Sequence, residues 1–512
     1  KALLLTVRNP DRITTVIPKS KVLEHENGVA KVLVNWGLEE SIILKNLKIK
    51  APSPITGRYK WTGLNKPFEH QKVTSSFLTL NRRAFCFNEQ GTGKTASVIW
   101  AADYLMNLGI VKRVLVICPL SIMDAAWRND LFKFAMHRKV DVAHVKPEKR
   151  KEVINSDAEF IIINFDGVEI VQEEIANGGF DLIVVDEANA YKNPQTRRFK
   201  ALNTMLTPET WLWLLTGTPA SQSPVDAYGL AKLVNPTGVP RFGGAFRDMV
   251  MNKVTQFKWV PKPNAQETVH RVLQPAIRFT KQQCLDLPPV ITVTREVDMT
   301  PQQNKYYKLL KDQMMVHAAG ETISAINAGV VVSKLLQISC GAAYTDDKEV
   351  VEFDVKPRLH VLDEVLEETE RKVIIFAMFR SSIDTIVRHL TANGTACAEI
   401  HGGVSASKRG QIINDFQTTS KIRVLVMQPQ ATAHGITLTA ADTVVFYGPL
   451  MSVEMYTQCI ARADRKGQDS DKVTVVHIES SPIEKKLFKA MNTKVSDHAL
   501  LVGMFDSEVK NI

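Results

Sequence analysis

The sequence predicts an α/β protein with two lobes in tandem, each built on a parallel β-sheet, behind a small β-rich N-terminal domain. Three observations carry this reading. Two series of short apolar runs alternate with longer helix-like stretches, the pattern of strands buried on both faces between helices. The alternation lapses over roughly 225–350 and then resumes, so the runs fall into two groups. Near the start, Asn27-Gly28 lies between two apolar-rich segments, the strongest short hairpin signal. A chain of 512 residues also exceeds one ordinary core; at ~150 residues per domain about three are expected.

Taken in order, residues 1–55 form the β-rich domain, with "KVLEHENGVAKVLVNW" as its hairpin and "ESIILKNLKI" as a candidate further strand. "APSPITG" (51–57) reads as a linker. The first lobe covers 56–290, including a helical protrusion from about 225. Its strands are "RAFCFNE" (83–89), "VLVICP" (114–119), "EFIIINF" (159–165), "LIVVDE" (182–187) and "LWLLTGTP" (212–219). A partly helical inter-lobe segment covers 291–355. The second lobe covers 356–512, with strands "KVIIFA" (372–377), "ACAEIHG" (396–402), "VLVMQ" (424–428), "TVVFYG" (443–448) and "VTVVHIE" (473–479).

Composition excludes several classes. Apolar residues make up 45% and charged residues 23%, as in a globular protein in water. No apolar run approaches the ~18 residues of a membrane span, and "KALLLTVRNPDR" has too short an apolar core for a secretory signal. The six cysteines form no CxxC pair, which argues against a zinc ribbon and for a reducing compartment. A cytoplasmic monomer associated with nucleoid or host-cell DNA is expected. The net charge of +10 fits a polyanionic partner and fits a basic enzyme without one about equally well.

The chemistry begins at "FNEQGTGKT" (87–95), between the first strand of the first lobe and the helical "ASVIWAADYLMNL". Gly91 and Gly93, flanking Thr92, let the backbone turn its N–H groups toward an anion. The helix start adds partial positive charge there. Lys94 can reach the β- and γ-phosphates of ATP, and Thr95 can ligate Mg²⁺. Asn88 stands where the full phosphate-loop pattern has glycine. Farther on, "LIVV" ends in adjacent carboxylates, Asp186 and Glu187. A parallel sheet presents its ligand site at the carboxyl ends of its strands, so the pair is delivered beside the loop. Asp186 would hold Mg²⁺, which relieves the repulsion between the two acids; Glu187 would orient and deprotonate the attacking water. In "QCIARADRKGQ" (458–468), Gln458, Arg462 and Arg465 are spaced i, i+4, i+7 and would share one helix face. Three donors there suit a γ-phosphate, with both arginines as candidate fingers reaching ATP when the lobes close.

On these motifs the chain resembles superfamily 2 helicases, and within them the Swi/Snf-like DNA translocases of a compact, viral or bacterial type. "PFEHQKV" (67–73) is similar to the adenine-reading segment, which implies Gln71 as reader. "VICPLSIMDAAW" (116–127) resembles a motif near the DNA track, "DEANAYKN" the acidic motif, and "LLTGTP" (214–219) the coupling motif. "LQPAIRFTKQQCLDLPP", "EIHGGVSASKRGQIINDFQ" and "ATAHGITLTAAD" follow in family order. The resemblance covers about 60–490. It implies two RecA-like lobes, ATP and Mg²⁺ as cofactors, and duplex DNA as the track. It further implies Gly435 at the nucleotide and Ser121, Asn164 and Thr218 along the sugar-phosphate backbone. Asn189 stands where the family usually has His, which puts the coupling of hydrolysis to motion in question. Residues 1–55 loosely resemble SH3-like or Tudor-like barrels, a place for DNA or a protein partner, or a structural appendage. A strand-separating helicase and an ATPase factor acting on RNA polymerase are the competing expectations.

Overall fold

The computed structural model describes residues 1–493 except 27, 64, 221–222, 256–257, 285–287, 319–324, 345–349, 433–435 and 466. These residues fall into two compact units that divide after Cys284.

The first unit opens with an antiparallel sheet of β1 (Ala2–Val7), β2 (Lys21–Glu26) and β3 (Val29–Asn35) in the order β1-β3-β2. The expected hairpin turns at Gly28, whose φ of +75° suits a residue without a side chain. Asn27 lies outside the described residues. Between β1 and β2 runs the short α1 (Asp11–Thr14). "ESIILKNLKI" is not a strand. It forms α2 (Leu38–Asn46), with Glu39 and Glu40 in the first turn and Lys45 in the last, charges that complement the helix dipole. Ile13, Ala30, Val32, Val34 and Leu44 close a small core of their own. Leu38 instead joins the core of the lobe that follows, and Lys45 Nζ donates to the Leu80 carbonyl at 3.1 Å. The N-terminal sheet is therefore anchored to the first lobe.

After α3 (Ile55–Arg58) and α4 (Glu69–Thr79) come β4 (Arg83–Cys86), α5 (Lys94–Asn107), β5 (Val114–Cys118) and β6 (Val140–Val142). Then follow β7 (Phe160–Asn164), β8 (Leu182–Asp186) and β9 (Trp211–Leu215). A small antiparallel pair, β10 (Met251–Lys253) and β11 (Trp259–Pro261), stands apart from the main sheet. With β12 (Ala276–Ile277), the main sheet has the parallel order β12-β4-β9-β8-β5-β7-β6. Successive side chains point to opposite faces. Phe85, Leu115, Ile161, Ile183 and Leu212 enter one core, and Ala84, Val116, Ile162, Val184 and Trp213 the other. Burial on both faces is why these strands read as continuous apolar runs.

The second unit repeats the plan. β13 (Val290–Glu296), β16 (Lys372–Phe376), β17 (Cys397–Ile400), β18 (Val424–Met427), β19 (Ala441–Phe446) and β20 (Val473–Glu479) form a parallel sheet in the order β13-β20-β19-β16-β18-β17. β14 (Ala342–Tyr344) and β15 (Val350–Glu352) make a separate antiparallel pair. Residues 291–296, expected in the inter-lobe segment, are instead part of an edge strand of this sheet. The helices Pro301–Ala318 and Ala325–Cys340 follow it in the chain.

Candidate active site

The carboxyl ends of β4, β8 and β9 meet at one edge of the first sheet. Beyond β4 the chain enters the glycine loop and then α5. Gly91 and Gly93 take φ of +86° and +78°, the left-handed region where a side chain is strained. Gly93 faces a second constraint: a Cβ there would lie 2.1 Å from Gln71 Nε2. Lys94 starts α5 and curls back, donating from Nζ to the Asn88 carbonyl at 2.8 Å. Thr92 Oγ1 donates to the Glu89 carbonyl at 2.8 Å. Thr95 is half-buried in the first turn of α5.

Asn88 is buried and works as a strut. Its Nδ2 donates to Thr74 Oγ1 on α4 at 2.9 Å, and its Oδ1 accepts the Phe279 N–H at 2.9 Å. Arg278, also buried, donates to the Phe87 carbonyl at 2.6 Å, to the Gly217 carbonyl at 3.3 Å and to Glu89 Oε1 at 2.7 Å. One guanidinium thus ties the glycine loop to the "TGTP" turn after β9. Gln71, on α4, accepts the Phe68 N–H at 2.9 Å. Among the described residues its Nε2 makes only long contacts, 3.4 Å and 3.5 Å, to the carbonyls of Thr92 and Gly93. The expected adenine reader therefore stands against the loop, and its loosely held amide donor is easily exchanged for a ligand.

Asp186 is the last residue of β8 and is nearly buried. Its Oδ1 accepts the Glu187 N–H at 2.9 Å and its Oδ2 the indole N–H of Trp127 at 3.0 Å. Burial pushes its carboxyl pKa above the usual range, opposed by the Lys94 charge and by these two hydrogen bonds. Glu187 sits at φ +52°, an unfavourable conformation for a residue with a side chain, of the kind that clusters at functional sites. Gln90 Nε2 donates to Glu187 Oε1 at 3.3 Å, which links the acid to the glycine loop. Two residues on, Asn189 Nδ2 donates to the Thr218 carbonyl at 3.0 Å and to Thr218 Oγ1 at 3.2 Å. Asn189 thus bonds directly to the turn that follows β9.

The structure brings Gln71, Gly91, Thr92, Gly93, Lys94, Thr95, Asp186 and Glu187 to one edge. The residues expected on a DNA track are less alike. Ser121 lies in the short 3₁₀ turn Leu120–Ile122. Asn164 ends β7, and its Oδ1 is buried without a hydrogen-bond partner among the described residues. Thr218 is nearly buried and bonded to Asn189, a poor position for direct contact with a backbone. In the second unit, Gln458 is on the helix Val453–Ile460 and its Nε2 donates to Glu454 Oε1 at 3.4 Å. Arg462 and Arg465 are not on that helix. It ends at Ile460, because the backbone turns there to pair the Arg462 carbonyl with the Leu438 N–H at 2.9 Å. The single helical face expected for the three donors is thus replaced by a helix and a following turn. Arg462 is buried, and Arg465 Nη1 donates to the Ile436 carbonyl at 3.3 Å. Gly435 lies outside the described residues.

The oxygen donors present fit Mg²⁺. Among the described residues no group of three or more His, Cys, Asp or Glu converges on a metal position. Thr95 and Asp186 offer one hydroxyl and one carboxylate, the sparse oxygen set that Mg²⁺ takes when substrate phosphates complete its shell.

Residues 70–340 match the SNF2-related domain. The chain belongs to that family. Residues 357–467 of this SNF2-related protein match the helicase conserved C-terminal domain. It is 26% identical over 418 residues to an uncharacterized ATP-dependent helicase of Mycoplasma pneumoniae, covering 80% of this chain and 39% of that protein. It is 24% identical over 430 residues to the mouse (Mus musculus) chromodomain-helicase-DNA-binding protein 1-like, covering 80% of this chain and 46% of that protein. The chain thus spans less than half the length of these curated relatives. A solved SWI2/SNF2 ATPase core of Sulfolobus solfataricus in complex with dsDNA aligns with 88% of this chain and 96% of its own, at 21% identity and a TM-score of 0.43. No helix among the described residues is long and apolar enough to cross a membrane.

Proposed function

We propose that this SNF2-related chain hydrolyses ATP and uses the cycle to move along double-stranded DNA. The observation that carries the reading is the convergence of the glycine loop, Lys94, Asp186 and Glu187 at one sheet edge. The loop's N–H groups and the start of α5 would hold the phosphates, and Lys94 would leave the Asn88 carbonyl for the β- and γ-oxygens. Gln71 would give its loosely held amide to adenine. Thr95 and Asp186 would hold Mg²⁺, which when bound neutralises phosphate charge. Glu187, fixed in its strained backbone beside Gln90, would take the proton of the attacking water. Gln458, Arg462 and Arg465 would come from the second unit to meet the γ-phosphate.

The names of the relatives, helicase and DNA-binding, support a nucleic-acid track. The net charge of +10 agrees with it. Ser121 and Asn164, at the carboxyl ends of neighbouring strands, would contact the sugar-phosphate backbone, largely without regard to sequence. Thr218 would act through Asn189. The N-terminal sheet is offered as a site for a protein partner.

The test is an ATPase titration with matched duplex DNA, single-stranded DNA and RNA, followed by triplex displacement. Duplex should stimulate most, with displacement and little unwinding. Glu187→Gln should bind ATP yet lose about 10²–10⁴ in turnover. Stronger stimulation by RNA, or robust unwinding of a forked duplex without triplex displacement, would replace the translocase by a strand-separating helicase. Turnover close to wild type in Glu187→Gln would remove the role given to the acid pair.

A further inference from the structure

Asp186 is gripped from two sides. The bond from the Glu187 N–H is local. The bond from the Trp127 indole spans 59 residues. Trp127 is fully buried, and an indole has one hydrogen to give and no lone pair to accept with. At this position it gives that hydrogen to the carboxylate oxygen.

The backbone that presents Trp127 is irregular. The 3₁₀ turn Leu120–Ile122 runs directly into a π-turn, Met123–Arg128, before the α-helix Asn129–Phe134 begins. Single π-turns are rare and concentrate at functional sites. Here the π-turn begins two residues after Ser121 and contains Trp127, the partner of Asp186. The segment that carries Ser121 is thus continuous with the one that carries the indole.

We propose that Trp127 is a positioning residue: its indole N–H sets the Asp186 carboxylate for the metal, and it makes that setting responsive to what the 119–122 segment binds. This rests on the reading of Asp186 as a metal ligand and of Ser121 as part of the DNA track. Each carboxylate oxygen keeps a lone pair beyond its one hydrogen bond, so the two donors fix the rotation of the group while leaving lone pairs open. With the indole donor gone, the carboxylate can turn about its χ2 torsion, and the direction of its free lone pairs is lost.

The test uses the full chain. Trp127→Phe keeps an aromatic ring and removes the donor. Mn²⁺ binding to the ADP-loaded protein, read by EPR, should weaken about 10-fold or more, the range seen when residues that orient metal ligands are removed. Leu131→Ala is the packing control. Leu131 is fully buried in the same core as Trp127, so this variant should lower the melting temperature and leave Mn²⁺ affinity unchanged. Equal Mn²⁺ affinity in Trp127→Phe and wild type, or equal weakening in both variants, overturns the proposal. The wild-type chain gives a reading that needs no variant. With ¹⁵N-labelled tryptophan, the Trp127 indole signal should shift when Mg²⁺ and ADP are added, and shift again with duplex DNA. A signal indifferent to metal, or moved by metal and indifferent to duplex that is bound, also overturns it. A wild-type ATPase that no nucleic acid stimulates would sink the translocase reading, while the Mn²⁺ measurement still decides the role of Trp127 at Asp186.

Discussion

Asn88 shows how a single side chain can depart from a motif and serve it. Glycine at this position would free the backbone; asparagine ties it, through Thr74 on α4 and the Phe279 N–H. Asn88→Gly restores the letter of the general pattern but removes both bonds, and Asn88→Ala does the same. Each leaves the half-buried Phe279 N–H unmatched and takes one partner from the buried Thr74 hydroxyl, for which about 1–3 kcal/mol is the usual cost. Both variants should therefore unfold at lower urea concentration, and a glycine variant as stable as wild type would show the strut to be idle. The residues proposed to hold phosphate are picked out by local spacing: a strand, two glycines, Lys94 and a helix within one short stretch. The residues that hold them are not. Asn88 meets Phe279 across 191 positions, Arg278 meets Glu89 across 189, and Trp127 meets Asp186 across 59. No pattern in the chain records such distances. The only signals available were a polar residue in an apolar stretch and a lone Arg in "PAIRFTK".

At the scale of elements, tertiary contacts decided what local pattern left open. The short apolar run Ile42-Ile43-Leu44 fits strand or helix, and the charged ends of α2 with the two cores beside it settle on helix. β13 was missed for the opposite reason. Its Val, Ile and Thr residues favour a strand, but it lies at a sheet edge, where Val290 and Ile291 remain 41% and 43% exposed, so no buried apolar run announces it. The helix Val453–Ile460 starts at Ser452, whose hydroxyl accepts the Met455 N–H at 3.3 Å, and it is pinned by Tyr456 Oη to His477 Nε2 at 2.9 Å. His477 is wholly buried among Phe446, Tyr456 and Phe488, and burial lowers its pKa from 6.5 to about 4. The unfolded chain therefore takes up a proton here more readily than the folded one. The stability associated with neutral His477 is full above pH 6.5 and is lost as the pH falls toward 4, with a slope of at most about 1.4 kcal/mol per unit. Urea unfolding between pH 7 and 5 should show this loss, and His477→Gln should flatten it. An unchanged slope in the variant would place the acid sensitivity elsewhere.

For the whole molecule, each unit is complete in its own terms. The first has cores on both faces of a seven-stranded sheet, and the second has cores on both faces of a six-stranded one. The second unit also carries its own buried ionic knot. Arg358 and Glu484 pair at 2.7 Å, Arg358 donates to the carbonyls of Tyr447 and Ile478, and the Ser480 and Ser481 N–H groups donate to Glu484. Such a pair is costly to break from one side, about 3–5 kcal/mol, and every partner lies after Cys284. Cutting the chain after Cys284 should therefore yield two pieces that each fold and melt cooperatively. A cut after residue 290 would instead take the start of β13 from the second sheet and should weaken that piece. The proposed chemistry divides unequally. Residues 1–284 hold the glycine loop, Lys94, Gln71 and the acid pair, so this piece should bind a fluorescent ATP analogue about as well as the whole chain. Gln458, Arg462 and Arg465 are on the other piece, and arginines in that role are worth about 10³–10⁵ in rate. The first piece alone should turn over ATP at a small fraction of the full chain's rate, and duplex DNA should not restore it. Tight nucleotide binding with that loss of turnover separates a site missing its arginines from one that is misfolded. Full DNA-stimulated turnover by residues 1–284 would mean that the second unit contributes nothing to the reaction.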